Sequence, residues 1–307
     1  MTQSAGTINC SAEFWIGQNG GSATYNSSGT GALNVTDWFA IGRAGNGANG
    51  TLTMTGGSLY QGVNGVFIVG DNSQGSFLQS AGPATAREFW VANGGSSSGN
   101  YDLSGTASLT VNGWVVIGRD GVGTMNMSGG TFTKTGDAGN HMIIASGGTG
   151  NLNQTGGNVI STLSDTWIAE NGTATWTISG GTATMSVVQL GRNGAGSGTL
   201  NLYGGTFTAN EIAGGSGNAI VNFGGGTLVA GANGNLIHDL DAANLEIGGA
   251  IINTAGYDVT VASALLDSGG GALTKNGLGS LTLTGPNAYV GATTINAGKL
   301  TTTTAAT

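Results

Sequence analysis

Charge is what this 307-residue chain has least of: it carries 7 Lys and Arg against 15 Asp and Glu, for a formal net charge of −8. Nucleic acid and anionic membranes are recognised by basic stripes, and here the acids are scattered singly from Glu13 to Asp267, so neither is an expected partner. One cysteine, Cys10, allows no internal disulfide, and it is read as a small packing residue near the N-terminus. No stretch approaches the length of a transmembrane helix. Met1 to Ala12 lacks the basic and apolar regions of a signal peptide, so the chain is read as a mature fragment or as export cargo whose signal has been removed. Prolines number two and glycines 62, without the glycine at every third position that collagen requires. A hydrophobic content of 38% excludes disorder and suffices for a narrow core.

What the chain has instead is a repeat. A strand ending in Ile-Gly-Arg, a glycine-rich turn, a Thr-Leu-x-Met strand, then Gly-Gly-Thr and a short strand recur at Trp38 to Leu59, Trp114 to Thr133 and Val187 to Thr208. The small residue closing the first strand marks nine turns: Gly17, Gly42, Gly70, Ala92, Gly118, Ala145, Ala169, Gly191 and Ala213, spaced by 22 to 28. A period in the twenties built from short strands is the mark of a solenoid, whose units are too thin to bury an apolar side alone and must stack. Three strands and three glycine corners in about 24 residues give a triangular coil, and ten to twelve coils at about 4.8 Å each make a rod on the order of 55 Å long. The expected fold is therefore an all-β parallel solenoid. Residues 1–230 form its nine coils, and 231–307 form an extension where the repeat drifts.

Alternation sorts the side chains. Ile16, Ile41, Val69, Val91, Ile117, Ile144, Ile168, Leu190 and Ile212 precede the marker and point inward; Phe14, Phe39, Phe67, Phe89, Val115, Met142, Thr166, Val188 and Asn210 share that face, which thins towards the C-terminus. The second strand reads apolar-in and polar-out, as in Thr51-Leu52-Thr53-Met54-Thr55. The third is short, with one inward residue, as in Thr131-Phe132-Thr133. The outward face of the first strand is unusual. Trp15, Trp38, Trp90, Trp114 and Trp167, five of the six tryptophans, fall on it among further apolar residues. An apolar surface of that extent on a rod is normally covered. A neighbouring segment of the same chain, a second copy, and sugar rings stacked on the indoles are the three candidate covers.

Catalysis needs converging groups, and few converge. His141 and Asp165 share a register in consecutive coils and are read as a solvated surface pair. His238 with Asp239 and Asp241 lacks the further ligands of a zinc or hard-cation site. Arg43, Arg119 and Arg192 recur after the marker and are read as corner residues bonding to neighbouring carbonyls. No catalytic residue, metal or cofactor is expected.

Towards the C-terminus the chain reads Gly269-Gly270-Gly271-Ala272-Leu273-Thr274-Lys275-Asn276-Gly277-Leu278-Gly279-Ser280-Leu281-Thr282-Leu283, then Asn287-Ala288-Tyr289-Val290-Gly291-Ala292-Thr293 and Ile295-Asn296-Ala297-Gly298-Lys299-Leu300. This run, 269–300, closely resembles the autotransporter-associated β-strand repeat. The resemblance implies a right-handed parallel β-helix, displayed or released outside a bacterial cell, with no shared catalytic residues. The expectation is a non-enzymatic extracellular structural protein, a surface or matrix fibre subunit whose partners are further copies stacked head to tail or side by side. The alternative is a carbohydrate-binding adhesin using Trp15, Trp38, Trp90, Trp114 and Trp167. An ice-binding surface of Thr-x-Thr rows and a polysaccharide lyase or hydrolase rank below both.

Overall fold

The computed structural model describes residues 1–45, 47–62, 64–136 and 139–303; the last residues of the expected extension, 304–307, lie outside them. It is an all-β parallel solenoid of about twelve turns. Thirteen strands, from Phe14–Gln18 to Lys299–Thr302, stack in register as the first face. The second and third faces join into one larger sheet, and each pairing in both sheets is parallel, as in Phe39↔Phe67 and Leu52↔Phe77. The ladder runs on without a break through the drifting region, where Asn218–Ala230 and Ala242–Asn253 each carry the chain across two faces as one long strand.

Alternation builds the core. Phe39, Phe67, Phe89, Val115, Met142, Thr166 and Val188 form one inward row, and Leu52, Phe77, Tyr101, Met125, Leu152, Trp176 and Leu200 face it from the second strand; all are fully buried. Aromatic residues fill the wider N-terminal half: Phe67 meets Phe39 at 4.5 Å, Phe89 at 5.1 Å and Phe77 at 5.4 Å between ring centres. Outside, amides form ladders between coils, as in Asn126 to Asn100 and Asp102, and Asn244 to Asn222 to Asn201. Such ladders give the outer surface its polarity with almost no charge.

Two places in the coil require a left-handed backbone. The second residue of each Gly-Gly corner, such as Gly57, Gly130 and Gly205, has φ between 64° and 77°, the region that costs other residues roughly 1 kcal/mol or more. The marker residue also turns left-handed, and a Cβ on Gly42 would overlap the Gln74 carbonyl of the next coil. Ala92, Ala145 and Ala169 hold the same conformation with a Cβ, which is the largest side chain found at the marker in the first eight coils.

Two expectations change. The ninth coil pairs Val188 with Ile212 and Leu190 with Gly214, two residues later than the marker spacing implies, so Ile212 and not Asn210 continues the inward row. The third strand carries two inward positions, not one. Its second row reads Val35, Gln61, Ala86, Val111, Lys134, Ser161, Met185 and Ala209, all buried. Two polar members of this row, Gln61 and Lys134, sit beside corners and satisfy them. Gln61 donates to the carbonyls of Asp37 and Gly62, and Lys134 donates to that of Gly136.

A similar device recurs at the end of the second strand. Gln79 donates to the carbonyls of Gly82 (2.8 Å) and Ser108 (3.0 Å) while its own oxygen accepts from the buried Tyr101 hydroxyl at 2.7 Å. Gln3 and Tyr25 repeat this pair near the N-terminus. Burial holds the Tyr101 hydroxyl well above its ordinary pKa, so it stays a donor. Tyr101→Phe leaves the Gln79 oxygen buried and unpaired, for an expected loss of about 1–3 kcal/mol. The measurement is a lower denaturation midpoint at an unchanged slope.

Candidate functional site

Strand register places the first-face tryptophans. Trp15, Ala40, Ile68, Trp90, Val116, Ile143, Trp167 and Gln189 lie side by side as one outward row across eight coils. Trp38 and Trp114 sit two residues before this row, just ahead of the strands Phe39–Arg43 and Val115–Ile117, and meet its tryptophans on the same face. This face is not an open platform. Only Trp15 is exposed, at 40%; Trp38, Trp90 and Trp114 are half-buried, and Trp167 keeps 6% of its surface. Val116, Ile143 and Trp167 form a second apolar cluster outside the coil, against which Trp90 and Trp114 pack. The cover is made by the tryptophans themselves.

Their packing skips coils. Trp38 meets Trp90 edge to face at 6.3 Å, and Trp114 meets Trp167 at 6.1 Å, each pair spanning a coil whose outward residue is an isoleucine. An arginine from the following coil then closes over each row tryptophan: Arg43 over Trp15 at 4.4 Å, Arg119 over Trp90 at 3.9 Å and Arg192 over Trp167 at 3.7 Å. A guanidinium over an indole is held by the negative ring face and adds about 0.5–2 kcal/mol. These arginines therefore cap the ribbon, and the role expected for them as bonding partners of corner carbonyls is replaced. Their outer nitrogens are held by side chains: Arg43 by Glu13 and Asp71, Arg119 by Asn93, Arg192 by Gln189.

The arrangement exposes a longer period that sequence reasoning missed. Trp15, Trp90 and Trp167 are 75 and 77 residues apart, and Arg43, Arg119 and Arg192 are 76 and 73 apart, which is three coils each time. Glu13-Phe14-Trp15-Ile16 and Glu88-Phe89-Trp90-Val91 are the visible signal, as are Ile41-Gly42-Arg43 and Ile117-Gly118-Arg119. Self-comparison at a lag near 75 residues would have found it. The unit is thus a station of three coils: a tryptophan behind an acid, then a tryptophan and an arginine, then a coil with neither; in the third station Val187 replaces the second tryptophan and Arg192 remains.

His141 belongs to the ribbon and is not a solvated partner of Asp165. Its ring stacks on Trp167 at 4.1 Å and meets the edge of Trp114 at 5.3 Å. Burial lowers its pKa, outweighing the nearby Asp165 carboxylate that acts to raise it. Its imidazole is therefore a neutral packing ring at physiological pH.

His238 is organised differently from the reading of adjacent residues. Nδ1 lies 2.7 Å from Asp239, but Nε2 reaches back one coil to Glu211 at 3.0 Å, while Asp241 turns away to accept from the Ala219 amide. Burial acts to lower the His238 pKa, and the hydrogen bonds to Asp239 and Glu211 outweigh it, leaving the pKa raised. A raised folded pKa contributes stability below the unfolded value of about 6.5, and that stability is lost as pH rises through the folded value. His238→Gln should therefore cost up to about 1 kcal/mol near pH 6 and less near pH 9. Thermal melts of both proteins across that range check it. No group of three or more acidic, histidine or cysteine side chains among the described residues has the geometry of a metal site.

The C-terminal run forms one coil and part of the next: Leu273–Asn276 on the third face, Ser280–Leu283 on the first, then Thr293–Ile295 and Lys299–Thr302. Lys275 points into the core at the position below Ile252 and is fully buried. It donates to Thr254 Oγ1 (2.9 Å) and to the carbonyls of Asn276 (3.0 Å), Gly277 (2.7 Å) and Ala297 (3.1 Å), so one ammonium ties three coils. Burial lowers its pKa.

Neither a curated protein nor a solved structure matches the chain. The passenger-associated-transport-repeat family matches residues 273–301, the same run singled out by its residues at 269–300. That family suggests a secreted or surface-exposed passenger. The repeat at 273–301 and the parallel solenoid that carries it fit a passenger-like autotransporter β-helix repeat protein.

Proposed function

We propose that this chain is a non-enzymatic structural element of the cell exterior, a β-solenoid rod that assembles with like coils end to end. The observation that carries this reading is the coil-on-coil ladder itself: the first-face strands from Phe14–Gln18 to Lys299–Thr302 pair in parallel, one per coil, and the strands of the other two faces stack in the same way. A parallel strand with an unpaired side templates the next strand, and a solenoid edge offers three such strands already spaced for a matching coil.

The acids support the non-enzymatic part. Glu13 and Asp71 hold Arg43, Glu170 accepts from Ser146 of the preceding coil, and Asp258 accepts from Ser280 of the following one. Each serves cohesion between coils. Electron microscopy of the 307-residue chain across a concentration range is the test. Filaments with a subunit repeat of about 55–60 Å, the rise of about twelve coils, support the reading. Dispersed single rods at every concentration overturn it, and depolymerisation of a polysaccharide by the purified chain overturns its non-enzymatic part.

A further inference from the structure

The two tryptophan pairs leave a gap between them. Trp38 packs on Trp90 and Trp114 on Trp167, and among the described residues no ring contact joins Trp90 to Trp114 in the adjacent coil. A depression of about 370 Å³ lies there, mid-rod, across coils paired on both sides. That is the small end of ligand clefts, which run from roughly 300 to 1,000 Å³. Its apolar lining is Trp90, Trp114, Val116 and Ile143. Glu88, Arg119, Ser146 and Glu170 supply the polar groups.

Those polar groups do not satisfy one another. The Glu88 side chain is 12% exposed, and burial pushes its pKa up against the charges of Arg87 and Arg119. Arg87 engages Oε1 at 3.3 Å from a half-exposed arm. The repeat supplies the comparison. One station earlier the equivalent acid, Glu13, holds Arg43, which Asp71 holds as well. Here Arg119 turns to Asn93 at 3.0 Å, and Ser146, 75 residues after Asp71, donates to Glu170 Oε2 at 2.6 Å. Glu88 Oε2, Glu170 Oε1 and Arg119 Nη2 are left without hydrogen-bond partners among the described residues.

We propose that this depression binds a pyranose ring of a neutral glycan, its C–H groups on the apolar lining and its hydroxyls on Glu88, Glu170 and Arg119. A hydroxyl both donates and accepts, which suits two carboxylate acceptors beside one guanidinium donor. A hydroxyl on Glu88 also returns the hydrogen bond that burial withholds from that carboxylate. Charge decides against the rivals. Arg119, seated over Trp90 at 3.9 Å, repels a cation, and Glu88 and Glu170 repel an acidic sugar. An aromatic or aliphatic side chain would desolvate both carboxylates and pair neither.

The test is calorimetric titration of the 307-residue chain with soluble hexasaccharides of β-glucan, α-glucan, xylan, mannan and chitin. At least one should bind with a Kd of about 1 mM or tighter, and acidic oligogalacturonate and cationic chitosan hexasaccharides should bind about tenfold more weakly or not at all. Ser146→Phe fills the depression from its rim and should weaken binding by about tenfold or more; Glu88→Ala and Glu170→Ala should each weaken it by about threefold or more. Tyr203→Ala, in a separate depression lined by Tyr203, Glu246 and Ile247, should leave it unchanged. Circular dichroism separates loss of the site from loss of the fold. Four results overturn the proposal: no binding across the neutral panel at about 10 mM, wild-type affinity in a folded Ser146→Phe, an acidic or cationic hexasaccharide binding more tightly than the neutral ones, or equal loss in Tyr203→Ala.

Discussion

Lys275→Met is expected to open the C-terminal coils while leaving the rest of the rod folded. The wild-type ammonium joins Thr254 Oγ1 to the carbonyls of Asn276, Gly277 and Ala297. Methionine fills most of the volume but donates nothing, so the carbonyls of Gly277 and Ala297 lose this partner, while that of Asn276 keeps the Thr254 amide. Hydrogen bonds to charged groups contribute about 1.5–3 kcal/mol each, and leaving buried acceptors bare costs a further share, so a net loss of about 3–5 kcal/mol is expected. A solenoid is held by nearest-neighbour interfaces, which keeps the damage local. Hydrogen exchange should show lost protection across 273–301 with the coils between 39 and 133 unaffected. Unchanged protection at 273–301 would show that water or a shifted backbone satisfies those carbonyls.

Phe67→Ala should divide the rod into two cooperative units. Phe67 is fully buried in the third coil, where it touches Phe39 of the coil before, Phe77 across the core and Phe89 of the coil after. Phe to Ala in a packed core costs about 3–5 kcal/mol, most of it through the cavity left behind. The cavity here lies on the interface between coils, the term that couples one end of a solenoid to the other. Calorimetry should resolve an early transition for the coils before Phe67 ahead of the main one. A single transition at the wild-type temperature would refute this account of the aromatic core as the coupling element.

Stacked phenyl rings bind the N-terminal coils, and buried polar side chains anchored on corner carbonyls join coils along the rod, from Gln3, Gln61 and Gln79 to Lys275. The family match falls at 273–301, where Lys275 takes a position that apolar residues hold in neighbouring coils. The tryptophan and arginine ribbon adds a second layer of cohesion outside the first face, together with the few ion pairs that join coils there.

The amino-acid order by itself determined the coil: its period, its three faces, the glycine corners and the inward rows of the first two strands up to the eighth coil. Each of these is local. Alternation along a strand and the left-handed turn at Gly57 or Gly130 are settled within a few residues, so a single sequence carries them. The repeat at the C-terminus was equally legible, because its glycines and Lys275 stand at set spacings. Tertiary structure alone decided what lies between coils. Arg43 capping Trp15, Trp38 reaching Trp90 across an intervening coil, His238 turning back to Glu211 and the shifted register at Ile212 all join residues 24 to 52 positions apart. Those contacts depend on side chains long enough to span one or two steps of about 4.8 Å, and on which rotamer the neighbours leave open. Alternation shows only that a residue faces outward. The stacked coils decided that four of the five outward tryptophans would enclose one another in pairs, Trp38 with Trp90 and Trp114 with Trp167.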